Sequence, residues 1–143
     1  MSVPGPDLPP EIATSDLIHA LLDARQDSAL ILDPSGTILA ANGPAAESLG
    51  VVAPSSLVGR NLFTLLSPPT ASRLRPLFER VVSTGVPGDF ADSDGRRHWR
   101  HAFRPVLGRD GRVAVVVDGS TDVTAHWQAQ EALRVSLEKY KVL

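Results

Sequence analysis

Apolar and polar positions follow a helical rhythm in some stretches of the chain and a strand rhythm in others, and the changes of rhythm divide it into elements. Leu17, Ile18, Leu21 and Leu22 recur at helical spacing behind Ser15, whose hydroxyl is suited to cap a helix over residues 15–27. The next stretch, ALILDPSGTILAAN, holds two β-prone runs around Asp33-Pro34-Ser35-Gly36. Proline second and glycine fourth suit a type I turn, so a hairpin is predicted. Gly43-Pro44 then opens PAAESLG, one or two helical turns with Pro near the first helical position and Gly50 placed to cap the end. VGRNLFTLLSPP predicts a brief buried helix through Leu62, Phe63, Leu65 and Leu66, ended by Pro68-Pro69. The longest internal helix is expected over Thr70–Thr84, with Leu74, Leu77, Phe78, Val81 and Val82 on one face and Gly85 at its end. Pro76 argues for a regular start near Ser72 or Arg73.

From Gly88 the period becomes that of strands. A short strand at Gly88–Asp92, a turn at Asp94-Gly95, a long strand through RRHWRHAFRPVL, a turn at Arg109-Asp110-Gly111 and a strand at Arg112–Asp118 predict an antiparallel meander. The order implies an α+β fold: a five-stranded antiparallel sheet with short helices on one face, and a cavity between those helices and the sheet. Residues 28–121 form the expected core. Residues 1–14, with Pro4, Pro6, Pro9 and Pro10, read as a disordered leader, and residues 122–143 as a junction and a C-terminal coiled-coil helix, or else a helix folded back on its own sheet.

That junction is Asp122-Val123-Thr124. Both polar side chains have an oxygen able to accept from free N–H groups at a helix start, and the Asp charge suits the positive end of the helix dipole. Beyond it Val123, His126, Gln130, Leu133, Leu137 and Tyr140 fall at spacings of three and four, a coiled-coil seam that is polar in its first half. So short a helix is marginal alone, so a homodimer through Leu133, Leu137 and Tyr140 is expected.

In order and spacing, ALILDPSGTILAAN, VGRNLFTLL and RPVLGRDGRVAVVVDGSTDVT resemble the PAS sensory domains of bacterial signalling receptors, over roughly residues 16–143. The resemblance implies a sensor that meets a small ligand or partner and relays a conformational bias through Asp122 and Thr124 to a downstream effector in a longer parent chain. The effector is most often a histidine kinase, next a cyclic-dinucleotide enzyme or a transcriptional regulator. The competing expectation is a dimerisation module without a ligand, its cavity packed solid. Pocket candidates are Phe63, Leu66, Leu77, Phe78, Arg97, Trp99, His101 and Phe103. Photoactive flavin-binding relatives carry a reactive Cys after Gly-x-Asn; here Gly59-Arg60-Asn61 is followed by Leu62 and the chain has no Cys, which excludes the covalent adduct though not flavin itself. Haem-binding relatives take an axial His from the long internal helix, and Thr70–Thr84 holds none, so haem is not expected. No cofactor is otherwise indicated.

Strand alternation puts Arg97, Trp99, His101 and Phe103 on one face and His98, Arg100, Ala102 and Arg104 on the other. The first is the better candidate for a cavity wall, where His101 or Arg97 would meet an anionic group and the aromatic rings supply apolar contact; the alternative, slightly favoured, is that this face is filled core or packs under the N-terminal helix and the arginines are solvated. His98 and His101 point to opposite faces, and His19 and His126 stand alone on helices, so no metal site is expected. Neither a Gly-x-Ser-x-Gly elbow, a P-loop nor a His-Glu-x-x-His pair is present, and Glu47, Asp89 and Asp92 are expected on solvated faces, so no catalytic residue is nominated.

Composition adds bounds. A length of 143 residues with 43% apolar content suits one domain with helical extensions. A net charge of −2 removes any global attraction to nucleic acid or an anionic membrane, and neither is expected as a partner. Absence of cysteine and of a signal-peptide pattern points to a cytoplasmic location.

Overall fold

The computed structural model describes residues 11–141. Its elements are α1 (Thr14–Asp23), β1 (Ser28–Leu32), β2 (Ile38–Ala41), α2 (Gly43–Ser48), a 3₁₀ turn (Pro54–Ser56), α3 (Leu62–Leu65), α4 (Pro68–Thr84), β3 (Gly88–Ser93), β4 (His98–Leu107), β5 (Val113–Asp122) and α5 (Thr124–Lys141). The strands form one antiparallel sheet in the order β2-β1-β5-β4-β3. The last strand therefore lies at the centre, hydrogen-bonded to β1 on one side and β4 on the other.

Period-two alternation sorts β1 between two cores. Leu30 and Leu32 face the larger one, with Ile38, Ala41, Leu62, Phe63, Leu74, Phe78, Phe103 and Val116, under α2, α3 and α4. Ala29 and Ile31 face the smaller one, where α1 sets Ile18 and Leu22 against the opposite side of the sheet. The pairing Ile31↔Ala40, Leu32↔Ile38 skips Leu39. That bulge lets Ile38 and Ala41 share the larger core while Ala40 joins the smaller, and leaves Leu39 exposed.

Local chemistry accounts for most boundaries. Gly36 N–H donates to Asp33 C=O at 3.0 Å, closing the expected turn, and the Asp33 carboxylate accepts from Ser35 and Thr37 N–H. A side chain on Gly36 would need a strained φ of 92° and would meet the Phe63 ring at 2.9 Å. Asn42 ties three elements together: its Oδ1 accepts from Ala45 N–H, capping α2, and from Ala29 N–H at the start of β1, while its Nδ2 donates to the carbonyls of Leu22 and Asp27. All four of its hydrogen-bonding positions are used, which is what permits complete burial.

Several expectations are corrected. Ser15 does not cap α1; the helix begins at Thr14 after Ala13 and has no side-chain cap, its first N–H groups being at an exposed end, and it stops at Asp23 rather than residue 27. Pro68-Pro69 do not end a helix but begin α4, where missing N–H groups are free of cost, and Pro76 is carried inside that helix on its exposed side. β5 continues to Asp122, four residues past the expected end, because Gly119 to Asp122 pair with β4. The leader lies largely outside the described residues, as do residues 142–143 of the C-terminal helix.

Candidate functional site

A cavity of about 420 Å³ opens between the inner face of the sheet and α2, α3 and α4. Its apolar wall comes from Leu30, Leu49, Leu62, Leu65, Leu66 and Leu74. Its polar wall comes from the adjoining ends of β4 and β5, with Arg97, Trp99, His101, Asp118 and Ser120. Extended backbone explains this grouping: residues 97, 99 and 101 share one face of the approach to β4, and His101 pairs across the sheet with Ser120.

Of the expected pocket residues, Leu66, Arg97, Trp99 and His101 line the cavity. Phe63, Leu77, Phe78 and Phe103 do not. Phe63, Phe78 and Phe103 are buried in a chain of ring contacts, with centroids 5.3 Å apart for Phe63–Phe78 and 5.6 Å for Phe78–Phe103, extended by Phe90 at 5.4 Å from Phe103. Leu77 packs against that core from α4. These side chains fill the space that an aromatic-walled pocket would have needed.

Sequence reasoning missed Asp118 and Ser120. Ser120 Oγ donates to Asp118 Oδ1 at 3.4 Å and lies 2.8 Å from His101 Nδ1. His101 Nε2 is buried without a partner among the described residues. Burial pushes the Asp118 carboxyl up to about 7, against the smaller opposing effects of Ser120 and the Arg25 charge. Burial holds the His101 imidazole below its ordinary value, opposed by Asp92. Both groups are thus biased toward neutrality. The signal was the alternation itself: continuing Val116 by two and by four residues reaches Asp118 and Ser120.

At the mouth, Asp92 departs from the expectation of a solvated carboxylate. Its side chain is only 9% exposed and is clamped by Arg73 of α4, with Nε–Oδ1 at 2.6 Å and Nη2–Oδ2 at 3.3 Å. Asp89, by contrast, is exposed and meets Arg104 at 2.8 Å. Asp94 folds back to accept from the N–H groups of Arg96 and Arg97, which hold its carboxyl below the usual range.

On the opposite face, the junction is stitched into the sheet. Asp122 Oδ1 accepts from Thr124 N–H at 2.9 Å and from the Thr124 hydroxyl, and these bonds lower the Asp122 carboxyl pKa. The Thr124 oxygen, expected to serve the helix start, instead accepts from His98 N–H at 2.9 Å, while Val123 N–H donates to His98 C=O at 2.8 Å. The His98 ring stacks on Trp127 of α5 at 3.9 Å and 14°. Beyond this first contact α5 leaves the sheet: it buries none of its residues, and Leu133, Leu137 and Tyr140 are 61%, 55% and 72% exposed. Among the described residues no three acidic, His or Cys side chains gather as metal ligands, and no helix is long and apolar enough to cross a membrane.

Comparison with known proteins places these features in context. A family model described as PAS fold matches residues 22–126. Similar solved structures include a domain of an HTR-like protein from Haloarcula marismortui, 28% identical over 68% of this chain and 98% of that one, with a TM-score of 0.59. The PAS domain of BvgS from Bordetella pertussis is 19% identical, covers 87% and 97% of the two chains and gives 0.63. A sensory box sensor histidine kinase from Vibrio cholerae is 19% identical, covers 76% and 90% and gives 0.60. No curated protein matches the chain.

Proposed function

Because this chain belongs to the PAS fold family, we propose that it is a sensory module that takes a small ligand in the cavity and passes a conformational bias through Asp122 and Thr124 to α5. One observation carries the reading. Consecutive residues at the start of β4 serve opposite faces: Arg97, Trp99 and His101 line the cavity, and His98 between them holds Thr124 by its backbone and Trp127 by its ring. A ligand that shifts this strand end by a few tenths of an ångström displaces the base of α5, because a strand is stiff and its two faces share one backbone. The cavity volume is within the range of small-molecule sites.

In this reading α5 pairs with a second copy through Leu133, Leu137 and Tyr140, and the pair drives an effector such as a histidine kinase in a longer cytoplasmic parent. The module itself performs no catalysis. A second reading, a dimerisation module without a ligand, draws on the exposure of Leu133, Leu137 and Tyr140 on α5, which needs a partner helix whether or not the cavity is filled. Native mass spectrometry separates the two. A small molecule that co-purifies and departs on denaturation supports the sensor, and its reproducible absence supports the dimeriser. Truncation before Ala125 tests the relay helix: the dimer should dissociate, and an equally tight dimer would remove α5 from both readings.

A further inference from the structure

We propose that the cavity takes a small organic cation bearing a protonated amine, held by the Asp118 carboxylate and His101 Nε2 with its apolar body against Trp99 and the leucine wall. The inference rests on the reading of the cavity as a ligand site and names the chemistry of its occupant.

Hydrogen-bond direction comes first. The Ser120 hydroxyl has one proton, and it is donated to Asp118 Oδ1. With Asp118 ionised and Ser120 donating to it, Ser120 accepts from His101 Nδ1, 2.8 Å away, and in that tautomer Nε2 is left with a bare lone pair. That lone pair is buried and unmet, and the carboxylate at the other end has the single long bond from Ser120 as its side-chain contact among the described residues. Both ends of the Asp118–Ser120–His101 chain therefore present acceptors. Their complement is a ligand rich in N–H donors.

Charge balance points the same way. Arg73 is matched by Asp92; Arg97 at the mouth makes no ion pair among the described residues, gives its backbone N–H to Asp94 and sends its charge toward Asp122. Arg25, which lies over Gly119 on the outer face of the sheet, is engaged by Asp27 at 2.9 Å. Asp118 takes part in no ion pair among the described residues. An ammonium group would supply the missing charge, and Trp99 in the same wall brings an aromatic ring beside it. A carboxylate ligand would meet Arg97 at the rim, but its approach to the interior would set it against Asp118.

The test uses three ligands of matched shape, 2-phenylethylammonium, 3-phenylpropionate and 3-phenylpropanamide, titrated into the wild-type chain and followed by NMR shifts of the Trp99 indole and His101 imidazole. The cation should bind at pH 8 at least about tenfold more tightly than the acid or the amide. It should weaken about tenfold between pH 8 and pH 6, as a carboxyl titrating near 7 loses its charge while the ligand keeps its own. Asp118→Asn should abolish both the preference and the pH dependence; the wild-type pH profile reads the same point without any substitution at a buried site. Tighter binding of the acid or amide, or cation binding that is independent of pH, overturns the cation assignment and leaves the ligand reading standing. Binding of none of the three also overturns it, and native mass spectrometry then decides the sensor reading separately.

Discussion

Along the inner face of β4 and β5, Phe103 and Val116 are sealed beneath Phe78, whereas Trp99, His101, Asp118 and Ser120, a few residues along the same strands, line an open cavity. The border passes through a single cross-strand pair, Phe103↔Asp118. One half is dry and close-packed, and its side chains gain by excluding everything else. The other is polar and incompletely satisfied, with His101 Nε2 buried and unpartnered among the described residues. The difference explains the Asp118 carboxyl: it sits where apolar packing stops, so it is desolvated like a core residue but faces a space like a site residue. Close packing and an open polar wall meet along a strand at one residue pair.

The largest test of that contrast is Phe103→Ala, which should cost about 3–5 kcal/mol by urea denaturation, with His101→Ala costing less than about 1 kcal/mol. Equal costs would mean that the two halves are one core. Next is Asp118. Its folded-state pKa is raised, so the native state keeps a proton that the unfolded chain has already lost; the stability it contributes is full below about pH 4 and disappears as pH rises to about 7. Wild type should therefore lose stability relative to Asp118→Asn across that window, by on the order of 4 kcal/mol as a ceiling. Parallel curves would place Asp118 in contact with water and dissolve the border. Comparing the two proteins cancels the opposing effect of carboxyls held low by hydrogen bonds, such as Asp27, Asp94 and Asp122, which act below about pH 4.

A smaller effect lies at the end of the polar half. Thr124→Ala removes the acceptor for His98 N–H and should cost about 1 kcal/mol, with faster amide exchange confined to the first turns of α5. Exchange that also quickens at Phe103 would show that the junction supports the dry half as well. Trp127→Ala should change global stability least, by about 0.5–1 kcal/mol, since the lost contact is one stacked ring on a half-buried histidine.

Much of this architecture was legible because local chemistry specifies it. Asp33 to Gly36 encode their turn, and period-two alternation grouped Arg97, Trp99, His101 and Phe103 on one face. Alternation says which side chains share a face and not which of them are covered, so Phe103 could not be told from His101 without knowing where α4 lies. The same gap put Phe63 and Phe78 in the expected pocket, although they are packed in the adjoining core. Asp118 and Ser120 were lost for another reason. Asp-Gly-Ser-Thr-Asp has the composition of a loop, and it is the two neighbouring strands, β1 and β4, that hold it extended. Asn42 was equally silent, because its role depends on Leu22, Asp27 and Ala29 converging on it from elsewhere.

The two tryptophans of this chain fall at the two ends of the suggested path, Trp99 in the cavity wall and Trp127 under the His98 ring. Quenching by the stacked His98 imidazole should hold Trp127 emission low while that contact stands and raise it when the contact breaks. Trp127→Phe leaves a chromophore that reports occupancy, and Trp99→Phe one that reports the helix. Stopped-flow traces from the two variants would time the arrival of a ligand and the response of the helix as separate events, with no added dye.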